Sequence, residues 1–151
     1  MTTSEIAAAA TGNPEWSRPG SAAEARATVR GLLSERLGTG DSGAGAAGGS
    51  ARRIEESRLA DALLVTSELV TNAILHGGGV TRFAARITRE GLRLQVTDRS
   101  RVRPATVSRT NDSYGTLPGG HGWPLIQRLC RDITITPLRG GKTIQVLVGL
   151  I

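Results

Sequence analysis

The chain has one cysteine, one phenylalanine and one tyrosine, and Lys142 is its only lysine. A single cysteine, Cys130, excludes an internal disulfide framework and suits a reducing compartment. With so few aromatic rings there is no stacking platform for single-stranded nucleic acid. No apolar run approaches the roughly 18 residues of a membrane span, so no membrane is expected. Met1–Ala10 has neither a basic start nor a long apolar stretch, so no signal peptide is expected and the setting reads as cytoplasmic. The net charge of +6 is carried almost entirely by arginines scattered through every kind of segment. That pattern reads as a basic solvated surface, leaves an acidic protein partner open, and makes a nucleic-acid binder only a remote alternative.

What is present begins with a polar anomaly. In Thr66-Ser-Glu-Leu-Val-Thr-Asn-Ala-Ile-Leu-His76, Glu68 and Asn72 stand four residues apart in an otherwise apolar helical pattern. That spacing stacks them on one helix face. Polar side chains away from water need partners. A solvated stripe is the bland explanation. Chemically, Asn72 offers a carbonyl oxygen to a hard cation such as Mg²⁺, and Glu68 a carboxylate able to accept a proton.

Around this helix the chain divides clearly. Residues 1–20, with Gly12, Pro14, Pro19 and Gly20, form a flexible arm whose Trp16 is placed to dock on the body. The domain then fills 21–151. Ser21-Ala-Ala-Glu24 is a capping box opening a helix over Ala25–Leu37. Residues 38–51 are a Gly/Ala-rich loop without packing side chains. The second helix is predicted from about Ile54 to His76, where Gly77-Gly-Gly79 ends it.

The period then switches to two. Phe83, Ala85 and Ile87, then Leu92, Leu94 and Val96, predict a hairpin turning at Glu90-Gly91. Asp98 shares the parity of Leu92, Leu94 and Val96, which aims a carboxylate at the buried face. An adenine amino group is one donor that could satisfy it. Residues 99–119 are polar and read as a lid-like loop. Gly119-Gly-His-Gly122 opens a short helix over Trp123–Cys130, bringing backbone N–H groups and a positive helix end within reach of an anion. His121 reads equally as a phosphate contact or a solvent-exposed loop residue. Ile133 and Ile135, then Ile144, Val146 and Val148, give a second hairpin. Gly140-Gly-Lys-Thr143 joins its strands, so it is a turn and not a Walker A loop. The whole predicts an α/β (α+β) two-layer sandwich, a mostly antiparallel sheet with helices on one face.

These elements, in this order, resemble the GHKL ATPases, and most closely the actinobacterial anti-sigma-factor serine/threonine kinases with their histidine-kinase-like domain. The carriers are Ser67-Glu-Leu-Val-Thr-Asn-Ala73, Val96-Thr-Asp98, Gly119-Gly-His-Gly-Trp-Pro-Leu-Ile126 and Gly141-Lys-Thr143. The resemblance implies a Bergerat-type ATP-binding fold with 99–119 as the ATP lid. It implies Glu68 as catalytic base and Asn72 as the residue holding Mg²⁺. Asp98 and Ser100 would lie at the adenine, Gly120, His121 and Gly122 at the phosphates, and Thr143 would support the adenine side. The implied partners are a sigma factor and an antagonist protein that receives the phosphate; a homodimer stays open. The alternative is a non-catalytic ATP-binding module that sequesters partners. Two departures stand out. The family's Asp-x-Gly reads Asp98-Arg99-Ser100, and Trp123-Pro124 enters the second glycine box. Strict alternation also puts Thr143 on the face opposite Ile144.

Overall fold

The computed structural model describes residues 16–38, 48–104 and 122–150. Helix α1 spans Ala22–Gly38 and α2 spans Gly48–His76. Strands β1 (Val80–Thr88) and β2 (Gly91–Asp98) form the first hairpin. Helix α3 (Gly122–Leu129) leads into β3 (Cys130–Leu138) and β4 (Gly141–Val148). Half of the capping box at α1 is formed: Glu24 N–H donates to Ser21 Oγ at 3.2 Å, while the Glu24 carboxylate reaches one residue further back and accepts from Gly20 N–H at 2.8 Å.

The four strands are antiparallel throughout, in the order β1-β2-β4-β3. The second hairpin therefore places its later strand in the middle. This juxtaposes β2 and β4 along their full length, with Leu92 opposite Val148 and Asp98 opposite Lys142. The helices supply Val29, Val65, Leu69 and Val70 to one sheet face, where they meet Phe83, Leu92, Leu94, Val146 and Val148. On the opposite face, Gln95 Nε2 donates to Gln145 Oε1 at 2.9 Å, and the Thr97 and Thr143 hydroxyls lie 2.8 Å apart. The fold class is the expected α+β one, a sheet with helices packed on one side. Trp16 docks as expected: Ser17 pairs with Phe83 through two 2.8 Å backbone bonds, and Arg82 sits 4.0 Å over the indole.

Two boundaries differ from the sequence reading. Helix α2 starts at Gly48 and not near Ile54, so the last four residues of the expected 38–51 loop are helical. Once a helix is nucleated, each added residue gains a hydrogen bond, and Ala51, Arg52 and Arg53 are strong helix formers. Cys130 closes no helix; it opens β3, opposite Val148. There it is half-buried against the core, and burial pushes its thiol up to about 12. Only about one thiolate in 10⁴ would exist at pH 8 in the folded chain, and the thiolate is the reacting form. Labelling by a thiol reagent at pH 8 is therefore expected to be orders of magnitude slower in the native protein than in urea. Equal rates would contradict this burial. Among the described residues no helix is long and apolar enough to cross a membrane.

Candidate functional site

Helix α2 carries the site because both its length and its end are fixed by neighbours. On the α1 side, Arg26 Nη1 donates to Ser67 Oγ at 2.9 Å. At the C-terminus, Gly77 and Gly79 N–H both donate to Ala73 O, at 3.0 and 2.9 Å, with Gly78 and Gly79 at positive φ. This is a glycine-dependent helix stop. Arg99 N–H then donates to Gly77 O at 2.8 Å, tying the end of α2 to the residue just past β2.

Glu68 and Asn72 are both half-buried, one turn apart, and face the start of α3. Gly122, the buried first residue of α3, lies directly against them. A Cβ on Gly122 would run into Glu68 Oε2 and stand 3.2 Å from its Cδ and 3.5 Å from Asn72 Oδ1. Only a glycine lets this helix start approach so closely. The positive end of α3 and two oxygen-bearing side chains of α2 thus share one cradle. Trp123 and Ile126 anchor α3 in the core behind it, so the tryptophan that departs from the family pattern holds the cradle in place.

Five residues beyond Asn72, about 7.5 Å along the helix, lies the second part of the site. Asp98 is buried at the end of β2, on the core side that its parity predicted. A Cβ on Gly77 would stand 2.5 Å from Asp98 Oδ2 and 2.6 Å from its Cγ, so α2 ends flush against the carboxylate. Asp98 Oδ2 is held by Lys142 Nζ at 2.8 Å; the two side chains are 4% and 6% exposed. Ser100 N–H donates to Asp98 Oδ1 at 2.9 Å, and Lys142 Nζ donates a second bond to Ser100 O at 3.0 Å. The Ser100 hydroxyl accepts from Val102 N–H at 3.2 Å.

The structure thus brings Glu68, Asn72 and Gly122 together and places Asp98 and Ser100 beside the C-terminal end of α2. Thr143 is not with them. There is no bulge between β2 and β4, and its hydroxyl meets Thr97 on the far side of the sheet. Gly120, His121 and most of the 99–119 lid lie outside the described residues. The residue that sequence reasoning missed is Lys142. At the start of β4 it has the parity of Ile144, Val146 and Val148, the same signal that marks Asp98 as inward-facing.

The family model described as "Histidine kinase-like ATPase domain" matches residues 16–147. Among solved structures, the chain is similar to the histidine kinase domain from Erythrobacter litoralis EL346 blue-light activated histidine kinase. That match has 23% identity and a TM-score of 0.42, and covers 62% of this chain and 48% of that one. A match to the Erythrobacter litoralis EL346 blue-light activated histidine kinase has the same identity and a TM-score of 0.43, covering 62% and 31%. The chain therefore spans less than half of either solved chain. No curated protein matches.

Proposed function

From the premise that this chain belongs to the histidine kinase-like ATPase domain family, we propose that it is an ATP-binding anti-sigma factor that phosphorylates an antagonist protein on serine or threonine. The observation that carries the nucleotide reading is the cradle at Gly122. An absent Cβ leaves the start of α3 against Glu68 and Asn72, so N–H donors, a carbonyl oxygen and a carboxylate converge where a polyphosphate and its cation would lie. Among the described residues no cluster of three His, Cys, Asp or Glu could cage a metal. A Mg²⁺ held by Asn72 would draw its other oxygens from phosphate and water, which is its usual habit.

In the transfer itself, the hydroxyl oxygen of the antagonist attacks the γ-phosphorus. The bond to the β-phosphate oxygen breaks, ADP leaves, and Glu68 takes the hydroxyl proton. The sigma factor and the antagonist follow from the sequence resemblance to anti-sigma-factor kinases.

Calorimetric titration with Mg·ATP tests the nucleotide reading. Wild type is expected to bind, and Asn72→Ala to bind about tenfold to a hundredfold more weakly, equivalent to about 1.4–2.8 kcal/mol. No heat with wild type at millimolar nucleotide would remove the reading.

A further inference from the structure

A site that recognises a base through one buried polar group rejects an analogue lacking the matching group because the protein group is then left unpaired. The severity of that rejection depends on what the protein group does when the analogue is bound. Asp98 is 5% exposed and both its oxygens are engaged within the chain, Oδ2 by Lys142 and Oδ1 by Ser100 N–H. Gly77 lies flush against the same carboxylate, so the end of α2 walls it on one side. Lys142 is itself 5% exposed and fixed by a second bond to Ser100 O. An amino group approaching Asp98 Oδ2 competes with an ammonium already seated there at 2.8 Å.

We propose that Lys142 is the residue that sets base selectivity, by standing in for the base's amino group at Asp98. The inference rests on the nucleotide reading of the same site. When the base lacks an amino group, Asp98 keeps Lys142 and nothing is left unpaired, so the usual penalty disappears. When the base has one, the gain from meeting Asp98 is offset by displacing Lys142. The chain therefore holds 6-amino and 6-oxo purine triphosphates with similar affinity, through the phosphate end at Asn72 and Gly122. Removing the ammonium bares the carboxylate and restores selection for the amino group.

The test compares Mg·ATP with Mg·ITP, whose base carries an oxygen in place of the 6-amino group, by calorimetry on wild type and Lys142→Met. Dissociation constants for wild type are expected to agree within about threefold, and those for Lys142→Met to favour ATP by about tenfold or more. A wild-type preference for ATP of about tenfold or more would overturn the inference while leaving the nucleotide reading intact. So would a Lys142→Met ratio that stays near one, or a variant that folds but binds neither nucleotide while wild type binds both. If wild type binds neither, the nucleotide reading fails and this inference fails with it. Should Lys142→Met not fold, the wild-type ratio decides alone.

Discussion

Glu68→Gln is expected to lower the rate of phosphotransfer from Mg·ATP to the antagonist by about 10²–10⁴-fold, the usual worth of a positioned general base, while ATP affinity changes less than about threefold. The separation follows from what Glu68 touches. Its carboxylate lies against the Cα of Gly122, and glutamine has the same shape, so the cradle between α2 and α3 stays intact. Asn72 and the start of α3, which would hold the cation and phosphates, are untouched by the change. What glutamine cannot do is accept the proton released when the hydroxyl oxygen bonds to phosphorus. Single-turnover labelling of the antagonist measures the first quantity and calorimetry the second. Equal labelling with both proteins would take Glu68 out of the mechanism. Absence of labelling with wild type, alongside normal ATP binding, would favour the sequestering module.

The sheet's local rules were open to reading in the sequence; its long-range partnerships were not. Period-two alternation identified both hairpins and turned Asp98 inward, because side-chain direction in a strand depends only on parity. The same parity rule turned Thr143 outward, and the structure seats it against Thr97 on the outer face. Helical spacing put Glu68 and Asn72 on one face. The ion pair of Asp98 with Lys142 could not be read in this way. It joins residues 44 positions apart and exists only because β4 lies beside β2. The strand order follows from where the chain returns after α3. Likewise, the approach of Gly122 to Glu68 needs α3 packed across α2. Nearby glycines marked Gly122 as special, but not what it would meet. The start of α2 was misplaced for a third reason. Gly48 and Gly49 weaken a helix locally, and the remaining 27 of the 29 residues of α2 outweigh them.

Lys142→Met is expected to destabilise the fold by about 3–5 kcal/mol, the typical cost of removing one partner of a buried ion pair. That is a large part of the 5–15 kcal/mol that holds an ordinary domain together. Methionine fills nearly the same volume, so the loss comes from leaving the Asp98 carboxylate at 4% side-chain exposure without its cation. Ser100 N–H remains as a donor, but a single neutral donor does not replace the ammonium, and Gly77 closes one side of the group. Adding Asp98→Asn to Lys142→Met removes the orphaned charge and keeps an acceptor for Ser100 N–H. The double variant is therefore expected to be more stable than Lys142→Met alone, a non-additivity that neighbours sharing one network display. Urea unfolding of the wild type, both single variants and the double variant measures it. A loss below about 1 kcal/mol for Lys142→Met would mean that the pair is not buried as the fold places it. The same bare carboxylate links stability to ligand. A nucleotide that binds only the folded chain stabilises it by an amount that grows with the logarithm of its affinity. If the base meets Asp98 as proposed, Mg·ATP should then raise the midpoint of Lys142→Met by more than it raises that of wild type, and by more than Mg·ITP does. An ammonium that served packing alone would give equal shifts with both nucleotides, so the difference between them separates a structural lysine from one that occupies the place of the base.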